Sequence, residues 1–134
     1  MPQPAKVVAR FLDGRVLKGH TINFDPNRPT FQLRLVEDAA GAGPMLVQLS
    51  DLKAVFFVKD FAGVPEYSEK KEFNTVATGR RLAVRFRDDE VLLGTSVTYD
   101  AKRQGFFLFP ADRFSNNEKV FVVAAAVADV TRVA

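Results

Sequence analysis

The chain has 134 residues, no cysteine and a formal net charge of +3, with 19 Lys and Arg against 16 Asp and Glu. This length suits one domain or two very small ones, and the missing cysteines exclude disulfides, thiolate metal ligands and a cysteine nucleophile. No apolar run approaches the ~20 residues of a membrane span, and the start MPQPAKVV lacks a signal core, so a cytoplasmic protein outside the membrane is expected.

Val7, Ala9 and Phe11 recur at the two-residue period of a half-buried strand. Asp13-Gly14 then predicts a two-residue hairpin turn, because glycine tolerates positive φ. Gly19 falls inside the returning strand, where a glycine marks a bend or bulge. The turn 25-DPNRP-29 leads to a third strand over 31–36, and 45-MLVQL-49 reads as a fourth. A tight turn around 50–53, of 3₁₀ type, precedes a fifth strand over 54–61. The polar, turn-rich stretch 62–79 reads as a linker with one short helix around Glu66–Glu72.

After the linker the first part is spoken again. The segment 10-RFLDGRVLKGHTINFDPNRPTFQL-33 aligns with 85-RFRDDEVLLGTSVTYDAKRQGFFL-108 at an offset of 75, and ten of its 24 pairs are identical. The offset holds to the end through Val47/Val122, Val55/Val130 and Val58/Val133. One register kept that long predicts a duplication. The second copy accordingly predicts strands over 82–86, 106–110, 120–125 and 129–133, with Asp88-Asp89 at the hairpin and Gly94 matching Gly19.

Five short strands in about fifty residues, with early hairpins and a tight corner before the last, predict an all-β fold of two tandem SH3/Sm-like small β-barrels packed together. The expected units are 5–61, the linker 62–79, and 80–134. Cores this small are marginal alone, so Phe56, Phe57, Phe61, Phe107 and Phe109 are expected to form a shared apolar surface.

The string DGRVLKG, followed by Phe24-Asp25, resembles the first motif of the Sm/Lsm barrels. Sm proteins place a base-contacting Asn in the turn just after that Asp; here 25-DPNRP-29 is one residue longer and 100-DAKRQG-105 has no Asn, so the likeness concerns fold more than RNA binding. RFLDGRVLKG, LKAVFFVKDFAG, GFFLFPAD and SNNEKVFVV together resemble an uncharacterised bacterial family of tandem small barrels, sometimes found beside PilZ or response-regulator domains. That resemblance implies a bacterial, regulatory, non-catalytic module.

No constellation in the chain points to catalysis. His20 is the sole histidine and has Thr95 as its repeat mate, so no metal-ligand spacing arises. No cofactor is expected. Asp25 and Asp100 read as turn residues that bond backbone N–H groups. The repeated pairs Arg10/Arg85 and Arg28/Arg103 are expected either to hold turns through Asp13/Asp88 and Asp25/Asp100 or to present equivalent binding points in the two copies. The spacing 81-RLAVR-85 matches the R-x-x-x-R with which PilZ domains clamp cyclic dinucleotides, a task suited to the planar guanidinium. Arg80, Arg81, Arg85, Lys102 and Arg103 therefore form a candidate surface for a cyclic dinucleotide or nucleic acid. Arg113, Asn116 and Asn117 form a candidate recognition loop between two strands. The favoured expectation is a protein-interaction adaptor in a bacterial regulatory pathway, joined by another protein through loops and a sheet edge.

Overall fold

The computed structural model describes residues 4–36, 43–62, 73–75 and 78–133. The first half carries strands β1 (Ala5–Phe11), β2 (Val16–Thr21), β3 (Thr30–Leu35), β4 (Met45–Gln48) and β5 (Leu52–Val58). The second carries β6 (Arg80–Phe86), β7 (Val91–Ser96), β8 (Gly105–Pro110), β9 (Asn117–Val123) and β10 (Val127–Arg132). A single 3₁₀ turn, Leu49–Asp51 or Ala124–Ala126, introduces the last strand of each half. The helix expected around 66–72 lies outside the described residues.

The 75-residue offset reappears in the ladders. Ala5 opposes Thr21 as Arg80 opposes Ser96, and Val7 opposes Phe57 as Leu82 opposes Arg132. Thr30 opposes Gln48 as Gly105 opposes Val123. Each half thus runs in the order last, first, second, third, fourth strand. The halves join where β5 pairs antiparallel with β9, giving one ten-stranded sheet ordered β10-β6-β7-β8-β9-β5-β1-β2-β3-β4. The expected pair of closed barrels is therefore corrected: the sheet is continuous and open. The fourth strand of the second half pairs with the fifth of the first, so neither half closes on itself.

Side-chain parity explains how one sheet holds two cores. Val55 and Phe57 of β5, with Phe121 and Val123 of β9, face a core that also holds Val7, Phe31 and Leu33. Ala54, Phe56 and Val58, with Val120 and Val122, face the opposite core, which holds Leu82, Val84, Phe86, Phe106 and Leu108. Successive side chains of a strand point to opposite faces, so β5 and β9 form a wall buried on both sides. Their runs AVFFV and VFVV are unbroken apolar for that reason. Of the five phenylalanines expected at a shared surface, Phe56 and Phe57 are buried in the wall, while Phe61, Phe107 and Phe109 are half-buried. Phe24 was not among the expected five. Its ring makes edge contacts with Phe31, Phe57, Phe107 and Phe121 at centroid distances of 5.2–6.1 Å.

Polar staples cross the same boundary. Gln104 Nε2 donates to the backbone oxygens of Pro26 and Arg28 at 2.6 and 2.8 Å. Lys53 Nζ donates to Asp88 Oδ2 at 2.8 Å and to Glu90 Oε1, and lies 4.7 Å from the centre of the Phe86 ring. The Lys53 hydrogen bond first, and the Glu90 N–H second, hold the Asp88 carboxyl below its ordinary pKa.

Two local expectations are refined. The hairpin after β1 is a three-residue loop closed by Phe11 N–H to Arg15 O, with Gly14 at φ +94°; Asp89 takes the same left-handed place at φ 72°. Asp tolerates that conformation better than most side-chain-bearing residues. Gly19 and Gly94 mark a close strand approach. A Cβ there would be driven into the carbonyl of Arg34 or Phe109 on the neighbouring strand.

Phe121→Ala is expected to lower stability by about 3–5 kcal/mol in urea denaturation. Leu46→Ala, at the equivalent but exposed position, is expected to stay within about 0.5 kcal/mol of the parent. Asp88→Asn tests the staple through pH. A carboxyl whose folded pKa is depressed stabilises fully above its unfolded value, near 3.9, and loses that contribution as pH falls through the folded value. The variant is expected to be less stable than the parent at pH 6 and to converge with it well below about pH 4.

Candidate functional site

The candidate cations of the second half do not converge on one site. Arg81 and Arg85 of β6 share the solvent face, opposite Leu82, Val84 and Phe86. Arg85 is committed: its guanidinium donates to Asp129 at 2.6 and 3.0 Å and to Asp89 at 3.2 Å. The hydrogen bond with Asp129 raises its pKa further above the ordinary value. The R-x-x-x-R spacing therefore offers one guanidinium without an ion-pair partner among the described residues, that of Arg81, which lies over the Phe73 ring. Arg80 turns elsewhere and donates to Tyr99 O at 3.0 Å. That places it at the β7–β8 turn with Lys102 and Arg103, the latter 3.8 Å from Asp100.

Of the two repeated arginine pairs, one keeps its partner in both copies and the other does not. Arg28 pairs with Asp25 at 3.5 Å, as Arg103 does with Asp100. Arg10, however, has no carboxylate in ion-pair range among the described residues. Ala54 and Gly14 stand where Arg85 finds Asp129 and Asp89, and Arg10 rests over the Phe56 ring. Asp13 bonds Arg15 and Asp88 bonds Lys53, so neither of these aspartates holds its strand arginine; Arg85 reaches its hairpin through Asp89 instead.

The loop candidates are fastened to the scaffold. Asn116 donates to Asp60 O at 2.8 Å and accepts from Asp60 N–H at 3.1 Å, and its carbonyl accepts from Lys59 N–H. Asn117 begins β9 and donates its N–H to Ser115 Oγ at 3.0 Å. Arg113 gives its backbone N–H to Asn74 and its carbonyl to Lys59, leaving the guanidinium over Phe114. Asn116 therefore ties the end of β5 to the second half. Of the three, only the Arg113–Phe114 tip projects, both residues being exposed.

A site missed in the sequence lies at the opposite end of the sheet. Among the described residues, β4 has β3 as its only strand neighbour. Leu49 N–H bonds Pro29 O at 2.8 Å, which fixes the phase of this antiparallel ladder. Hydrogen-bonded and non-hydrogen-bonded pairs alternate, so Val47 and Met45 bond β3 while the N–H and C=O of Leu46 and Gln48 point outward. Leu46 is 63% exposed and Ile22 68%. Beside this edge is a trough of about 470 Å³ lined by Pro4, His20, Ile22, Gln32, Arg34 and Pro44, among others. The only signal in the sequence was the departure from the repeat: Gln32 and Arg34 replace Phe107 and Phe109, and His20 replaces Thr95. No group of three His, Asp or Glu among the described residues is placed to hold a metal ion. No described helix is long and apolar enough to cross a membrane.

Comparison with known proteins adds a family and nothing about chemistry. No curated protein and no solved structure matches the chain. Residues 3–134 match a family of unknown function, DUF6982, and with nearly its whole length covered the chain belongs to that family.

Proposed function

We propose that the protein is a non-catalytic binding module, a protein-interaction adaptor in a bacterial regulatory pathway, and that a partner joins it by adding a strand to the edge of β4. The observation that carries this reading is the outward row of Leu46 and Gln48 N–H and C=O groups beside an exposed leucine and an apolar trough. An unpaired edge is a ready template for another chain. The opposite edge, β10, suits this role less, since Asp129 on it is engaged with Arg85 and Arg132 adds a charge.

A second reading, binding of a cyclic dinucleotide or nucleic acid, keeps one supporting observation. Arg80, Lys102 and Arg103 gather at the turn of Tyr99 and Asp100, where an anion would meet two guanidinium groups and an ammonium. Arg85 contributes little to it, being already paired. Titration calorimetry at low salt with a cyclic dinucleotide and a short RNA separates the two readings; heat that disappears on raising the salt favours this one.

The adaptor reading is tested with Leu46→Pro. Proline removes an outward N–H and leaves the β3–β4 bonds in place, so the variant is expected to retain its melting temperature within a few degrees. It should lose a partner that the parent chain recovers reproducibly from lysate. Unchanged recovery by a folded Leu46→Pro variant contradicts strand addition at this edge.

A further inference from the structure

The trough beside β4 has a charge pattern that specifies its occupant. Lys6 opposes His20 across β1 and β2, and His20 opposes Arg34 across β2 and β3. Directly opposed residues share a face of the sheet, so these three form one row. Leu33 opposes Met45, and one step further the register brings Pro44 opposite Arg34 and extends the row to the free edge. Lys6 and Arg34 thus flank His20 on one face, two strand spacings apart. Neither Lys6 nor Arg34 has a carboxylate partner among the described residues. The neighbouring row is apolar and neutral: Gln32 opposes Leu46, and Ile22 and Pro4 line the same trough.

We propose that this surface receives an extended, antiparallel segment of a partner protein in which an apolar residue opposite Leu46 is followed two residues later by Asp or Glu opposite Pro44. Antiparallel addition continues the sense of every ladder in the sheet. The apolar side chain covers Leu46 and Ile22. The acidic one stands two strand spacings, about 10 Å, from the Arg34 backbone, and the short Pro44 ring lets the guanidinium reach across to it. The inference rests on the adaptor reading and names the chemistry of its partner.

The repeat supplies an independent argument against a second copy of this chain. Laying β10 on β4 in the register that joins β5 to β9 puts Arg132 opposite Pro44, because Phe57 stands opposite Lys119. A cation would then meet Arg34 at the position where the row calls for a carboxylate. Proline also removes one of the hydrogen bonds that the β5–β9 junction makes there.

Two acetylated, fluorescein-labelled nine-residue peptides of Thr and Ser test the inference, one with Leu-Thr-Glu at its centre and the other with Leu-Thr-Lys. By fluorescence anisotropy the full chain is expected to bind the first about tenfold more tightly or better. Arg34→Glu, an exposed change with little effect on folding, is expected to reverse the preference, and Leu46→Pro to abolish binding of both. Equal affinity for the two peptides, binding of neither, or self-association of the chain that competes with the peptide overturns the inference. Equal affinities that still vanish in Leu46→Pro overturn the acidic specificity alone and leave strand addition standing.

Discussion

The pairing of β5 with β9 is the constraint on which the rest of the molecule depends. Each half has five short strands and a core too small to be secure alone. At the junction each half lends the other a wall: β5 turns Ala54, Phe56 and Val58 toward the second core, and β9 turns Phe121 and Val123 toward the first. Burying a phenylalanine such as Phe121 contributes about 2–3 kcal/mol, and several do so here. The stability of the two halves is therefore linked through two strands whose apolar segments, Ala54–Val58 and Val120–Val123, are buried on both faces.

Once the junction exists, the two copies cannot remain equivalent. The positions that form it are duplicated 75 residues away, where no described strand covers them, and there the sequence has changed character. Phe56 and Phe57 become Thr131 and Arg132; Phe107, Lys119 and Phe121 become Gln32, Pro44 and Leu46. The staples have gone as well, with Ala128 in place of Lys53 and Pro29 in place of Gln104. The free ends are thus unsuited to repeating the junction with another molecule, as edge strands that avoid uncontrolled pairing are. The β10 end carries an ion pair and a charge. The β4 end keeps an exposed leucine, two outward backbone positions, and Lys6 and Arg34 with no carboxylate partner among the described residues, which is why the proposed function is placed there.

The all-β strand content and the succession of strands along the chain were legible from the sequence because both depend on local signals. Alternation at Leu82, Val84 and Phe86, the hairpin residues Asp13-Gly14, and the gapless offset of 75 all act within a few residues or within one copy. Closure of each half was misread because it turns on which partner an edge strand takes, and pairing within a copy or between copies satisfies the same alternation. A hint was nevertheless present: AVFFV and VFVV are apolar at every position, as strands buried on both faces are, although β8 carries the unbroken run FFLFP as well. For the candidate site, charge composition misled. Arg85 looked available and is consumed by Asp129, 44 residues away, and Asn116 looked like a recognition residue and is a structural tie to Asp60. The row of Lys6, His20 and Arg34 is invisible until the register is known, since its members lie on three strands.

The shared wall can be measured directly in solution by NMR. In the observed register Val55/Phe121 and Phe57/Lys119 are the hydrogen-bonded pairs, so Ala54/Val122 and Phe56/Val120 are the close pairs, with Cα atoms about 4.5 Å apart. Strong Hα–Hα cross-peaks between Ala54 and Val122 and between Phe56 and Val120 are expected, with the Val55 and Phe121 amides among the slowest to exchange. Absence of both cross-peaks, with β5 and β9 each closing onto strands of its own half, would contradict the single open sheet and the account built on it.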